Sequence, residues 1–219
     1  MRAAPKSAAV PAAHERSRSR ALLAGGTTGN ELLTSATGAL LIVLLAVIGV
    51  TILRIHQLLW LHLFVGMLLV GPLALKLAST GYRFARYYTH DASYRHKGAP
   101  PTALRLLAPV VVITTVVVMV SGVALLFAGP QSRDAVLPIH KASFFVWVVF
   151  MGVHVLAHLP ETTGSLRADY ARASGLGAAP AGHNGRVMAL ASALALGLVV
   201  ALVCIPEFAP WLHAHFQHH

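Results

Sequence analysis

Three histidines, His140, His154 and His158, lie in one apolar stretch, Leu137–Pro160, that is long enough to cross a bilayer. An ionisable side chain inside a membrane span is costly and points to a functional site. His140 and His154 are fourteen residues apart, so on an α-helix they project from nearly the same face, roughly 21 Å apart along the axis. This spacing suits two metal centres stacked through a membrane, and it predicts electron transfer through haem.

A second apolar stretch, Leu58–Ser79, supplies candidate partners: it contains His62, and His56 lies just before it. Haem needs axial ligands from facing helices, an apolar slot, and small residues where the porphyrin meets backbone. The glycines that could leave such room are Gly66, Gly122 and Gly152. Glycine also serves plain contacts between membrane helices, so these three give weak support.

Depth in the membrane decides which histidines can pair. Of the five apolar runs that could span the membrane, the second, Leu58–Ser79, and the fourth, Ile139–Leu159, cross it in the same direction. When their ends are aligned, His62 lies level with about position 142 and His56 with about position 136, so either could face His140 with a mismatch of about 3–5 Å of helix rise. His62 lies further into the apolar run, and we expect it to pair with His140. The alternative is two unrelated buried histidines that bond to backbone or water.

The other level, around His154, lacks an obvious second ligand. His154 and His158 share one helical face, so they cannot ligate one haem from opposite sides. The residue level with them on the second span is Lys76, fourteen residues after His62. A lysine there could extend toward the membrane surface, pair with a haem propionate, or ligate iron if neutral. The sequence therefore predicts one haem b and leaves a second one open, with His90 or His96 as further candidate ligands.

The composition and the apolar runs predict the elements that position these residues. The chain has 219 residues, of which 56% are hydrophobic and 11% charged, whereas soluble domains carry about 25% charged residues. Each apolar run is near the ~20 residues that cross the hydrocarbon core. The runs are Leu32–Ile55, Leu58–Ser79, Leu106–Phe127, Ile139–Leu159 and Val187–Ile205. We expect an all-α integral membrane protein with a four-helix haem-binding bundle and a peripheral fifth helix.

The charge distribution predicts the orientation. The residues before the first span and the connections after the second and fourth carry thirteen of the 17 Lys and Arg residues. By the positive-inside rule the N-terminus is cytoplasmic and the C-terminus lies outside the plasma (inner) membrane. We expect residues 1–30 to be a disordered basic tail, residues 31–205 the bundle, and residues 206–219 a His-rich outer tail without a defined metal site. The basic loop Gly81–Thr102 is typical of a positive-inside loop anchored at the interface by Tyr and Phe, and the alternative is a loop that docks a partner, a haem propionate or a quinone.

Paired histidines fourteen apart on one helix, in a chain of five spans, resemble the transmembrane b-type cytochromes. The resemblance is to the membrane cytochrome b subunits of formate dehydrogenase and nickel–iron hydrogenase, and to the wider cytochrome b/b6 group. It implies that His62, His140 and His154 ligate haem iron, with His56, Lys76 and His158 as further candidates. The chain departs from the di-haem pattern because the fourth ligand is not a histidine.

The same resemblance implies a non-catalytic electron-transfer subunit of a respiratory oxidoreductase complex. Its partners would be membrane lipid, a quinone, and an outer-face redox protein such as a molybdenum-cofactor enzyme subunit. Nucleic acid is not expected, because the basic residues lie between apolar runs rather than on one face. The alternatives are a haem-free membrane anchor or assembly subunit, and a metal-ion transporter.

Overall fold

The computed structural model describes residues 26–89, 102–171 and 182–216, and every regular element in these ranges is helical. The α-helices are α1 (Gly26–Leu53), α2 (Ile55–Leu68), α3 (Val70–Tyr88), α4 (Thr102–Ala128), α5 (Arg133–Ala171), α6 (His183–Val203) and α7 (Ala209–Phe216). Short 3₁₀ turns at Pro130–Ser132 and Ile205–Phe208 precede α5 and α7.

Five helical segments of the described chain are long and apolar enough to cross a membrane. They are α1, α2 with α3 as one span, α4, the first part of α5, and α6. The predicted class, an all-α protein with five membrane spans, is confirmed. A multi-pass membrane protein follows from the length and composition of these helices.

The second span lacks one helical hydrogen bond where α2 passes into α3, beside Leu69, which keeps helical φ and ψ angles. Pro72 has no N–H to donate to the carbonyl of Leu68, four residues earlier, so that carbonyl is released from the helix. The released oxygen lies against Gly197 of α6, where a Cβ atom would collide with it. The sequence Gly71-Pro72 thus produces both the missing hydrogen bond and a helix contact.

Helix α6 packs on the outside of the second span through two glycines. A Cβ atom on Gly71 would collide with the carbonyl oxygen of Ala193 and would lie 2.7 Å from the backbone nitrogen of Gly197. Small residues of this kind let membrane helices approach to backbone contact. None of the described residues of α6 lines the central cavity, which the helices α1 to α5 surround.

The predicted disordered tail is shorter than residues 1–30, and part of the C-terminal tail is helical. Residues 26–30 are the first turns of α1, where the Asn30 side chain donates to the carbonyl of Ser79 at 3.2 Å. The remainder of the predicted disordered tail, residues 1–25, lies outside the described residues. In the C-terminal tail, Phe208 is 1% exposed, and Trp211 donates to the carbonyl of Leu126 at 3.1 Å. This segment therefore packs against the end of the bundle.

The expected loop over Gly81–Thr102 is also corrected in part. Helix α3 continues to Tyr88, with Phe84 and Tyr88 in ring contact at 4.5 Å between centroids. Residues 90–101 lie outside the described part of the chain, together with the candidate ligands His90 and His96. We call the end of the bundle that holds Arg83 and Arg105 the basic end.

Candidate functional site

A cavity of about 2050 Å³ runs through the bundle. Its lining residues reach from Glu31 and Arg105 at the basic end to Pro130 and Lys141 at the opposite end. Pockets for single small molecules have volumes of about 300–1,000 Å³. This cavity has room for more than one such ligand along its length. Five of the lining side chains are histidines, namely His56, His62, His140, His154 and His158.

His62 projects from α2 into the cavity and is held by α1. Its Nδ1 lies 2.9 Å from Oγ1 of Thr51, a side chain with no exposed surface. The Thr51 hydroxyl donates its hydrogen to the carbonyl of Ile48 at 2.7 Å. Since a hydroxyl has one hydrogen, the Thr51 oxygen is left to accept a hydrogen bond from the ring.

His140 is held in the same way, by α4. Its Nδ1 lies 3.1 Å from Oγ of Ser121, which is 7% exposed. The Ser121 hydroxyl donates to the carbonyl of Val118 at 3.1 Å. Ser143, one turn along α5, donates to the carbonyl of His140 at 3.0 Å. The hydroxyl of Ser121 is thereby placed to accept from the ring of His140.

This hydrogen-bond network assigns the same tautomer to both rings. Nδ1 carries the hydrogen in His62 and in His140, and Nε2 keeps its lone pair. A histidine that ligates a metal ordinarily donates its other ring N–H to an acceptor, which fixes the orientation of the ring. Both residues have this arrangement, and both line the same cavity.

The two rings also lie close enough to interact electrostatically. Helices α2 and α5 both begin at the end opposite the basic end, and each histidine comes seven residues after the first residue of its helix. The two histidines therefore lie at about the same level of the bundle. Their role as iron ligands stays a prediction. His56 lines the cavity at its end, and it is exposed.

The three candidate glycines differ in their surroundings. A Cβ atom on Gly122 of α4 would lie 3.0 Å from Cε1 and 3.4 Å from Nδ1 of His140. The lack of a side chain at Gly122 therefore leaves the space that the ring occupies. Gly66 lines the cavity, and a Cβ atom there would have no neighbour within 4 Å. A Cβ atom on Gly152 would also have none, because Gly152 faces the exposed side of α5 and does not line the cavity.

Aromatic residues occupy the level between His140 and His154. Trp147 is 8% exposed, and its Nε1–H donates to Oγ1 of Thr115 at 2.9 Å. The ring of Phe144 lies 6.0 Å from that of Trp147, centroid to centroid. Trp147 is seven residues from each of the two histidines, so it separates two levels of the cavity along α5.

Beyond Trp147, toward the basic end, the cavity is lined by a different set of side chains. The rings of His154 and His158 are 4.7 Å apart between centroids, at an interplanar angle of 55°. Lys76 of α3 faces this level and interacts electrostatically with His154. All three line the cavity. Lys76 is therefore where the depth alignment of the spans places it.

Lys76 is bound to α1. Its Nζ donates to the carbonyl of Thr34 at 2.8 Å, and a Cβ atom on Gly38 would lie 3.1 Å from Nζ. The Thr34 hydroxyl donates to the carbonyl of Asn30 at 2.7 Å, and it lies 3.2 Å from Oγ of Ser79. A polar network between α1 and α3 thus holds the lysine inside the span.

The sequence pattern did not predict Thr51 and Ser121 as partners of the histidines. A signal for Ser121 exists, because residues equidistant from the turn of a helical hairpin lie at the same depth. Ser121 and His140 are almost equidistant from the turn at Gly129 and Pro130. Thr51 stands near the end of α1, and nothing in its neighbourhood in the sequence marks it as a partner of His62.

The His-rich C-terminal segment is only partly described. His213 is exposed on α7, and His218 and His219 lie outside the described residues. Within residues 26–89, 102–171 and 182–216, no three His, Cys, Asp or Glu side chains come together as ligands for a metal ion. His62 and His140 both line the cavity, and a haem with two histidine ligands needs only two such side chains from the protein.

Comparisons of the chain with protein-family models, with curated proteins and with solved structures find no match.

Proposed function

We propose that the chain is a transmembrane b-type cytochrome that carries electrons through a haem held between His62 and His140. One observation carries the proposal. Two histidines from facing helices line a common cavity, and each has its Nδ1 bonded to a buried hydroxyl whose own hydrogen goes to a backbone carbonyl. Both rings are thus oriented with a free Nε2, as metal ligands require.

The residues around the pair fit a haem in other respects. The cavity is large, and apolar side chains from four spans line most of it. Gly122 leaves space where the ring of His140 meets α4. When bound, haem supplies one-electron chemistry at its iron. The chain's own residues orient the two imidazoles, fix their tautomer and exclude water, and these are the means by which a protein sets a reduction potential.

The charge pattern supports one orientation of the chain in the membrane. The basic end of the bundle would face the cytoplasm of a cell whose plasma membrane holds the protein. The His62–His140 pair would then lie nearer the outer face. Electrons would pass between a quinone or cytoplasmic partner and an outer-face redox protein, for example a molybdenum-cofactor subunit, without catalysis by this chain itself.

The test is a reduced-minus-oxidised spectrum of the protein purified from haem-replete cells, with the extracted haem counted per chain. The proposal predicts b-type absorption bands and at least one haem per chain. It also predicts that His140→Ala loses the haem held at this level. A wild-type protein without b-type bands would refute the proposal and favour a haem-free anchor or assembly subunit. Metal uptake without these bands would favour the metal-ion transporter.

A further inference from the structure

We propose that Arg133 and Lys141 bind the two propionates of a haem held between His62 and His140, so that both carboxylates point to the end opposite the basic end. The inference rests on the proposed function, since it presumes that this pair of histidines ligates the iron. It adds the orientation of the porphyrin in the cavity and the residues that bind its carboxylates. Both propionates leave the porphyrin from one edge, so a single orientation places both of them.

Arg133 is the first residue of α5 and lies on the same face of this helix as His140. The two residues are seven apart, which is almost two helical turns and roughly 10 Å along the axis. Arg133 lines the cavity, together with Pro130 in the turn that precedes α5. Its guanidinium therefore lies at the mouth of the cavity, two turns beyond the proposed iron ligand.

Arg133 keeps the capacity to bind a carboxylate although it already has an acidic neighbour. Its Nε lies 3.8 Å from Oδ1 of Asp134, whose side chain is 98% exposed. An ion pair with such an exposed partner contributes little free energy. A guanidinium has five N–H donors in a planar fork that matches a carboxylate. Arg133 can thus donate to a propionate whether or not the contact with Asp134 persists.

Lys141 directly follows His140 on α5, and it also lines the cavity. A lysine on a membrane helix packs its methylene groups along apolar surface and extends its amine toward the nearer water interface. For Lys141 that interface is the end at Arg133, eight residues earlier on the helix. Two ionised propionates carry two negative charges, and these two residues supply two positive charges.

The reverse orientation would place the propionates among aromatic rings. From His140 toward the basic end, the next level holds Trp147, which is 8% exposed, and the ring of Phe144 lies 6.0 Å from it between centroids. Among the described cavity residues of the second span, the cation in this direction is Lys76. It is fourteen residues after His62, or roughly 21 Å along the axis. A buried carboxylate without a nearby cation or donor is strongly disfavoured.

The charge of Arg133 also affects the electron affinity of the bound haem. Reduction removes one positive charge from the iron, and the negative charge of a nearby propionate opposes this change. A guanidinium that pairs with the propionate offsets its negative charge and favours the reduced form. Removal of the positive charge should therefore lower the midpoint potential, which a purely structural role of Arg133 would not do.

The experiment compares haem b with its dimethyl ester, in which both carboxylates are neutral. The apo-protein in detergent is titrated with each compound, in a His154→Ala background that leaves the His62–His140 pair as the site that is followed. The ratio of the two affinities is compared between variants, so that partitioning into detergent cancels. We expect Arg133→Gln to reduce the preference for haem b about 3–10-fold and to lower the midpoint potential.

Arg54→Gln is the matched control for the loss of one positive charge. Arg54 is exposed at the same end of the bundle, in the turn before α2, and it is not among the residues that line the cavity. The affinity ratio should be unchanged in this variant. Arg133→Lys keeps the charge but loses the planar fork, so it should retain part of the preference. Lys141→Gln should lower the ratio, and the double variant with Arg133→Gln should lower it further.

Other outcomes separate this inference from the proposed function. The same affinity ratio in the parent protein, Arg133→Gln and Lys141→Gln would overturn the inference and leave the cytochrome proposal standing. A ratio that falls in Lys76→Gln but not in Arg133→Gln would overturn the orientation of the porphyrin. An equal fall in Arg54→Gln and Arg133→Gln would overturn the specific site. A protein that binds neither haem b nor its ester would refute the proposed function and this inference with it.

Discussion

The Nδ1 atom of His62 lies 2.9 Å from Oγ1 of Thr51, a side chain on the preceding helix that has no exposed surface. Because water cannot reach this contact, the hydroxyl is the acceptor that fixes the tautomer of the ring. Ser121 has the same relation to His140 on the other side of the cavity. A buried hydroxyl therefore contributes to the orientation of each ring.

Thr51→Val keeps the shape of the side chain and removes the hydroxyl. We expect haem affinity to fall by about 10–100-fold, the usual effect of removing the hydrogen-bond partner of a metal-ligating histidine. The measurement is a haem titration of the apo-protein in detergent. Thr37→Val is the matched control, because Thr37 is also fully buried on α1, while its hydroxyl bonds the carbonyl of Leu33. Equal affinities in the two variants would contradict the role of Thr51.

Gly122→Ala tests whether the His140 ring needs the space beside Gly122. The added methyl group would lie 3.0 Å from Cε1 of His140, so the ring must move, and its hydrogen bond to Ser121 should lengthen. We expect less haem per chain and a changed b-type absorption band. Gly152→Ala adds the same methyl group to α5, where no atom lies within 4 Å, and it should keep the wild-type spectrum. Identical spectra for both variants would show that the contact has no effect.

The sequence was sufficient for the spans and for the histidine levels. Apolar runs of about 20 residues leave few alternatives to membrane helices, and the spacing of fourteen between His140 and His154 sets two levels. The same logic located Lys76 opposite His154. These inferences depend only on the rise of a helix and on the direction of each span.

The contacts between helices could not be predicted from the helix rise and the direction of each span. Whether Thr51 meets His62 depends on the rotation of α1 about its axis, which an apolar run on all sides leaves undetermined. For the same reason Gly122 could not be distinguished from Gly66 or Gly152. The ends of the helices were also missed, because the hydrogen bonds of Asn30 and Trp211 that order them are long-range.

The contact of α3 with α6 gives a prediction for stability. Gly71→Ala and Gly197→Ala each place a methyl group against backbone of the other span, so α6 must move outward. We expect the free energy of unfolding to fall by about 1–3 kcal/mol, which is typical of overpacking. This should appear as a lower Tm in detergent. Gly49→Ala on α1, with no atom within 4 Å, serves as the control. Unchanged melting of both contact variants would indicate that α6 is not held there.

The orientation can be tested with single cysteines in a Cys204→Ala background. Ser132 and Thr89 are exposed, at opposite ends of the bundle. We expect a membrane-impermeant maleimide to label Ser132→Cys in intact cells and Thr89→Cys only after permeabilisation, since the basic end should face the cytoplasm. The reverse pattern would place the His62–His140 pair near the cytoplasmic face.

The central claim is that His62 and His140 ligate one iron. If they do, their effects cannot be additive, because the loss of either ligand destroys the same centre. The common cavity and the similar level of the two residues on their helices support a shared centre.

The most direct measurement is the electron paramagnetic resonance spectrum of His62→Ala, His140→Ala and the double variant, with haem counted in each. We predict that each single variant loses the same low-spin, bis-histidine signal and that the double variant loses no more. Retention of the full low-spin signal in either single variant, or losses that add in the double variant, would contradict a shared iron.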